Sequence, residues 1–305
     1  IDTLGKDAGL TYKTEQSSKT MILGKDCSLE ETIENMTGLL KDLGINIEIA
    51  SWRNPVPHVW SVHIRDADSP ICYTNGKGST IAMMEASLRA LGYRVGAYTS
   101  PHILTYNERV RINGSNLNDS AWVKAFESVE KARHEIPLTY FEYGTLAAFY
   151  ALFSIDLDVI LLEIGLGGRL DAVNIIEPDI SIITSVSIDH SDWLGNTVDQ
   201  IGIEKAGILR KNSLFIGGEY LPKTVMEKSK SLACDTLLCR NDFDVTASTK
   251  GKVINLVIDS TKQSFSGFPV ISLPDNNVLI SIQAVVHVLR MIHNNIVIDQ
   301  QVYSM

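Results

Sequence analysis

The 305-residue chain is poor in cysteine, carries no excess of basic charge and contains no long hydrophobic run. Its four cysteines, Cys27, Cys72, Cys234 and Cys239, make no CxxC pair and lack the histidine spacings of a zinc site. That excludes a structural zinc framework, and with nothing to suggest secretion they read as reduced thiols of a cytoplasmic protein. Lys and Arg number 27 against 36 Asp and Glu, which gives a formal net charge of -9, and no run of five basic residues occurs. A general nucleic-acid surface needs clustered cations and is excluded; small-molecule chemistry fits better. Apolar stretches such as Val159 to Leu162 and Leu214 to Ile216 fall far short of a membrane span, and the N-terminus has no signal-peptide pattern.

What is present is a globular composition, 45% hydrophobic and 21% charged, enough for one large core or two modest ones. Residues 1–20 are polar and aperiodic, and a loose leader is expected there. Ser28 and Glu31 form a capping-box signature, and Leu29, Ile33, Met36, Leu40 and Leu43 recur at helical spacing until Gly44. Alternation at Ile45 to Ile49 and again at Trp60, Val62 and Ile64 predicts strands on either side of a break at Pro55 and Pro57. The segment 21–73 is therefore expected to be a small α+β unit.

Beyond residue 79 helices alternate with short apolar strands. Strands are expected at 94–98, 158–163, 180–185 and 213–216, and helices at 80–91, 121–133, 141–154, 198–208 and 277–292. This alternation predicts an α/β fold, a parallel sheet with helices on both faces.

Residues 71–80, ICYTNGKGST, carry two physical readings. A phosphate loop needs glycines that let backbone N–H groups approach an anion, a lysine for the outer phosphates and a hydroxyl near Mg²⁺. Gly76, Lys77, Gly78, Ser79 and Thr80 supply those types before a predicted helix. A hairpin turn at Asn75-Gly76 between two strands explains the same residues equally well.

Downstream motifs shift the balance. AYTSPHILTYNERVRING runs from Ala97 to Gly114, LTYFEYGT from Leu138, LLEIGLGGRLDAVN from Leu161, SVSIDHSDWLG from Ser185 and GIEKAGI from Gly202. With TNGKGST, this ordered series resembles the folylpolyglutamate synthase and dihydrofolate synthase family of the Mur ligase superfamily, over residues 74–305. The resemblance implies an ATP-dependent carbon–nitrogen ligase of folate biosynthesis and one-carbon metabolism. Such an enzyme joins L-glutamate to dihydropteroate or a folate through an acyl phosphate, with ATP and Mg²⁺ as cofactors and small molecules as partners.

The resemblance also implies site residues. Thr74, Asn75, Gly76, Lys77, Gly78 and Ser79 would hold the ATP phosphates, and Asn277 would lie on the adenine side unless it is simply a helix N-cap. Ser100, Glu163 and His190 match the magnesium-ligand positions, and Lys77, Lys205 and His190 the catalytic ones. Lys205 matches a lysine that becomes carbamylated; its plain alternative is a surface lysine on a helix. Thr139, Tyr140, Phe141 and Glu142, and Gly168, Arg169 and Asp171, match the pterin-side segments. Phe141 and its neighbour Tyr143 are otherwise core aromatics, and Arg169 with Asp171 otherwise a structural ion pair.

Two departures accompany the match. The family places a glycine before TNGKG, and here Tyr73 stands there, where a side chain crowds a turn meant to approach phosphate. Residues 24–78 resemble instead the N-terminal end of the YcaO family, in which TNGKG is a strand-end turn. The expectation is thus a polar leader over 1–20, a YcaO-like fragment over 21–73, and a Mur-ligase-type ATP-binding domain over 74–305 without the C-terminal ligase domain. The two parts would be joined at the shared string TNGKG. Impaired catalysis is expected of such a chain, with a non-catalytic fragment that keeps metal or pterin binding, or a YcaO-type peptide-modifying component, as alternatives.

Overall fold

Strands buried on both faces read as continuous apolar runs, and VILLE (Val159–Glu163) and ISII (Ile180–Ile183) are such runs, buried throughout. The computed structural model describes residues 36, 38–40, 42–43, 60–65, 76–188, 194–248, 251–268 and 273–293. Its main sheet is formed by β1 (Trp60–Arg65), β2 (Val95–Tyr98), β3 (Val110–Ile112), β4 (Ser115–Asn116), β5 (Val159–Glu163), β6 (Ile180–Ile183), β7 (Leu214–Gly217) and β8 (Asp235–Leu238), in the order β4-β3-β2-β5-β1-β6-β7-β8. The six strands from β2 to β8 in that order pair in parallel, and β3 and β4 add an antiparallel edge.

Alternate side chains of each strand feed two cores. Ile160, Leu162, Ile183 and Phe215 point to one that includes α2 (Asp119–Arg133), α3 (Tyr140–Phe153), α4 (Val198–Lys205) and α5 (Lys223–Ser231), through Trp122, Phe149, Ile201 and Val225. Met36, Leu39 and Leu40 are buried in this core too, with Leu43 packed against it. That is the face expected for the capping-box helix, whose start lies outside the described residues. Val95, Val159, Leu161, Ile180, Ile182 and Ile216 point to the opposite core, shared with α1 (Lys77–Ala90) and α6 (Asp275–His293). A three-stranded antiparallel sheet, β9 (Asp244–Ser248), β10 (Gly251–Ile258) and β11 (Thr261–Phe268), closes over α6 with Ile254, Leu256 and Ile258.

The α/β class and the helices and strands expected beyond residue 79 are present, with ends shifted by a few residues. Helix α1 starts at Lys77 rather than 80. Strand β1 comes from the segment before the expected boundary at 73/74, yet it pairs with β5 on one side and β6 on the other, in the middle of the sheet. The leader over 1–20 and most of 21–73 lie outside the described residues. Not foreseen were the antiparallel edge of β3 and β4, helix α5, strand β8 and the small sheet.

The topology sets the site. From β1 the chain crosses through α1 to β2, β5 fills the gap between them, and β6 adds on the far side. Ligands of open α/β sheets bind beyond the carboxyl ends of the strands where the winding reverses. There the described chain places the start of α1, Ser100 after β2 and Glu163 at the end of β5.

Candidate active site

The first turn of α1 decides between the two readings of TNGKG. Gly76 is the N-cap, with φ 85 and ψ -30, and Lys77 onward is helix rather than the second strand of a hairpin. Only a glycine adopts that φ without strain. The first turn holds no acidic residue and no side-chain cap, so its N–H groups and the positive end of the helix dipole remain available to an anion. Ser79 Oγ donates to the Gly76 carbonyl at 3.1 Å, and the Thr80 N–H donates to the same oxygen at 2.8 Å. Gly78 is exposed, and a Cβ added there would meet nothing within 4 Å. Thr74 and Asn75 lie outside the described residues.

Glu163, 4% exposed at the end of β5, meets this helix start. Its Oε1 is 3.8 Å from Lys77 Nζ, and its Oε2 accepts the Ser100 N–H at 3.1 Å. Loop 99–100 is anchored from below, where the Thr99 N–H donates to the Arg109 carbonyl at 2.8 Å. Three of the expected residues thus converge: Lys77, Ser100 and Glu163. His190 lies outside the described residues, and among those described no three His, Cys, Asp or Glu side chains gather as a metal cluster. A carboxylate beside a serine still offers the hard oxygen chemistry that suits Mg²⁺, so these residues fit such an ion.

Lys205 ends α4 and is 1% exposed, which rules out the surface-lysine alternative. The glycines of IGLGGR (164–169) bring the chain against it. A Cβ on Gly168 would lie 2.5 Å from the Glu204 carbonyl oxygen and 3.0 Å from Lys205 Cα. The Arg169 N–H donates to that carbonyl at 2.8 Å, and its guanidinium pairs with Glu204 Oε1 at 2.9 Å. Arg169 therefore pairs with Glu204, and not with Asp171. Asp171 is a local cap: one oxygen accepts the Leu166 N–H at 2.7 Å and the other the Val173 N–H at 2.9 Å. The neighbouring pair foreseen in the sequence is absent because each member has a closer structural partner.

Thr139 and Glu142 form a capping box at the start of α3, the Thr139 hydroxyl accepting the Glu142 N–H at 3.2 Å and the Glu142 carboxylate the Thr139 N–H at 2.7 Å. Burial pushes the Glu142 carboxyl up, against the lowering pull of the Thr139 N–H. Phe141 is close enough to Gly165 that a Cβ there would meet its ring at 2.6 Å. Tyr143 is half-buried, stacked on Phe126 and bonded through its hydroxyl to the Phe126 carbonyl at 2.9 Å, which favours its structural role; burial pushes its phenol up to about 12. Tyr140 borders a group that sequence reasoning passed over. Arg109, 7% exposed, lies over the rings of Tyr106 and Tyr140 and donates through Nε to His102 Nδ1 at 2.9 Å. Its only signal was its place inside SPHILTYNERV.

Asn277 is the third residue of α6, so it is not the N-cap; its Nδ2 donates to Ser79 Oγ at 3.0 Å. This links the last expected residue to the first turn of α1. Of the expected set, the geometry joins Gly76, Lys77, Ser79, Ser100, Glu163 and Asn277 around one helix start. Gly168 stands with Lys205, and Thr139 and Glu142 cap α3.

The fold defines the class: an α/β architecture, a mainly parallel sheet between helices, of the Mur-ligase type. No family model matches the chain. The dihydrofolate synthase/folylpolyglutamate synthase of Escherichia coli (strain K12) is 44% identical over 201 residues, which cover 64% of this chain and 46% of that protein. E. coli FolC in complex with DHPP and ADP superposes with a TM-score of 0.72 at 32% identity, covering 88% of this chain and 59% of that one. The Yersinia pestis bifunctional folylpolyglutamate synthase/dihydrofolate synthase complexed with AMPPNP and Mn gives 0.74 at 32% identity, covering 92% and 62%. Over the shared region the chain is similar to proteins named folylpolyglutamate synthase/dihydrofolate synthase. The chain spans about half the length of the curated relatives it matches.

Proposed function

We propose that the chain carries the nucleotide end of an ATP-dependent ligase that adds L-glutamate to dihydropteroate or a folate. One observation carries the reading: Lys77 at the open start of α1 faces buried Glu163, which also holds the Ser100 backbone. The relatives crystallised with ADP and DHPP, and with AMPPNP and Mn, support it. Substrates, metal and product are transferred from those proteins by likeness, and the cytoplasmic location rests on this reading and on the reduced thiols.

The chemistry that needs such a site is carboxylate activation. Hydroxide leaves a carboxylate poorly, so an oxygen of the carboxylate first takes the γ-phosphoryl group, the bond from that phosphorus to the β-phosphate oxygen breaks, and ADP departs. The amino group of glutamate then attacks the acyl phosphate through a tetrahedral intermediate, phosphate leaves with the C–O electron pair, and the nitrogen loses a proton. A loose phosphoryl transfer is accelerated mainly by positioning and by neutralised charge. Lys77 and the N–H groups of the α1 start would meet the phosphates. Glu163, Ser100 and His190 would hold Mg²⁺, which when bound supplies compensating positive charge for the phosphate oxygens. A buried ammonium is costly, and carbamylation would turn Lys205 into an anion with a use near a metal. Thr139, Tyr140, Phe141, Glu142, Gly168, Arg169 and Asp171 border the proposed pterin side.

Titration calorimetry with Mg-ADP tests the reading. Saturable binding that disappears when Mg²⁺ is chelated is the expected result, and no heat of binding by the folded chain refutes it.

For the N-terminal part we propose that residues 24–78 derive from a YcaO-type N-terminus joined to the ligase sequence at TNGKG, and that 74–305 is the ligase-derived domain. Tyr73 in place of the usual glycine supports the join. Sequencing one uninterrupted DNA molecule across codons 60 to 90 tests it; a source gene encoding an ordinary ligase N-terminus would sink the idea.

A further inference from the structure

Two adjacent residues at the start of α6 reach in different directions. Asn277 Nδ2 donates to Ser79 Oγ at 3.0 Å, on the first turn of α1. Asn276 Nδ2 donates instead to Glu219 Oε2 at 3.0 Å, while its Oδ1 accepts the Cys239 thiol at 3.7 Å. Successive helical residues point about 100° apart, so both contacts are compatible with one short turn. Burial pushes the Cys239 thiol up to about 11, which keeps it protonated and a donor.

Glu219 lies in the loop after β7 and is not one of the residues assigned to the site above. Its carboxyl sits below the ordinary range because Asn276 donates to it, with Tyr220 and Arg240 adding to the effect, so it is ionised near neutral pH. Arg240 Nε is 3.6 Å from Oε2, and the Arg240 N–H is fixed to the Phe243 carbonyl at 2.7 Å. The preceding Gly218 is tied to β6 through its N–H and the Ile183 carbonyl at 2.8 Å. The carboxylate is thereby anchored to the sheet, and Asn276 to the carboxylate.

Between α1 and α6 the packing is apolar, with Ile81, Met84 and Leu88 in one core with Val278 and Ile282. Apolar contact is non-directional and leaves the axial register of two helices weakly defined. Polar contacts near their starts set that register: Asn277 on Ser79, and Ser281 Oγ on the Thr80 carbonyl at 3.3 Å.

We propose that Glu219 is a positioning residue for the nucleotide end of the site. It fixes the start of α6 through Asn276, which holds Asn277 on Ser79 and so sets the first turn of α1 toward the phosphates. The proposal rests on the reading that this turn binds a nucleotide.

The test uses the full chain, with Glu219→Ala, which removes the carboxylate's contacts with Asn276, Tyr220 and Arg240, and Glu219→Gln, whose amide oxygen still accepts from Asn276. Mg-ADP affinity by calorimetry and amide hydrogen exchange over residues 77–81 and 275–281 are measured for each. Glu219→Ala is expected to bind about tenfold more weakly, the order of one charge-assisted hydrogen bond. Exchange should rise in those two segments and not across the sheet, and Glu219→Gln should recover most of both losses. Native affinity in Glu219→Ala, unchanged exchange at 77–81, or no recovery with Glu219→Gln overturns the positioning role alone. A native chain that takes up no nucleotide overturns the functional reading and the role that rests on it.

Discussion

Gly168→Ala perturbs the contact that holds Lys205 in place, and the size of its effect follows from the geometry. The new Cβ would stand 2.5 Å from the Glu204 carbonyl oxygen, and reaching even 3.0 Å requires backbone movement of about half an ångström at the end of α4. That carbonyl accepts the Arg169 N–H at 2.8 Å, so the shift strains or breaks the bond, which contributes about 1 kcal/mol. Overpacking adds about 1–3 kcal/mol and the φ of +154° about 1 more. The sum is roughly 3–5 kcal/mol, or about 2–4 °C of Tm per kcal/mol for a chain of this size. Two further variants separate the causes in urea unfolding. Gly92→Ala has φ +90° with nothing within 4 Å and isolates backbone strain, about 1 kcal/mol. Gly207→Ala approaches the same contact from the other side, its Cβ 2.5 Å from Arg169 Cα, and isolates the clash. If Gly168→Ala unfolds no more easily than Gly92→Ala, the close approach around Lys205 is not tight and the reasoning fails.

Three other outcomes are expected. Burial holds the His287 imidazole below its ordinary value, with Asp235 opposing, and its buried Nε2 has no partner. The unfolded chain then binds the proton first, so stability falls as pH drops below about 6.5, with a slope of at most about 1.4 kcal/mol per unit; His287→Leu should flatten that limb in denaturant titrations. Thr139→Ala should lower stability by about 1 kcal/mol through loss of the capping box, whereas Glu142→Gln, which can still accept the Thr139 N–H, should cost less; equal losses would show that the carboxylate charge matters as much as the Thr139 cap. Asp171→Ala leaves the N–H groups of Leu166 and Val173 without their acceptor and should cost about 2–4 kcal/mol in the same assay; a loss under about 0.5 kcal/mol would mean that Asp171 is not a structural cap.

The sequence disclosed those parts of the fold whose pattern is set by burial. VILLE and ISII are buried on every residue and apolar on all but Glu163 and Ser181 because both faces of the sheet are covered, and α1 and α6 were legible from their apolar spacing. The small sheet was missed although Ile254, Leu256 and Ile258 alternate with Asn255 and Val257. Its hairpin turns on Asp259-Ser260, both at positive φ, instead of the usual Asn-Gly signal. Helix α5 carries a single buried aliphatic residue, Val225, and gave no periodic signal. At the site, residue types announced Lys77 and the family resemblance Glu163, but partner choice was invisible. Arg169 takes Glu204 from α4, 35 positions away, over its neighbour Asp171, and Asn277 reaches back 198 positions to Ser79. Such pairings depend on where the fold brings helix ends, which one-dimensional spacing does not encode.

The central claim is that the start of α1, with Lys77 facing Glu163, receives nucleotide phosphates. Calorimetric titration of Mg-ADP into the native chain and into Lys77→Ala tests it most directly. The account predicts saturable binding by the native chain and at least about tenfold weaker binding by the variant, the order expected for one lost charged contact. Equal affinity in the two proteins would contradict it.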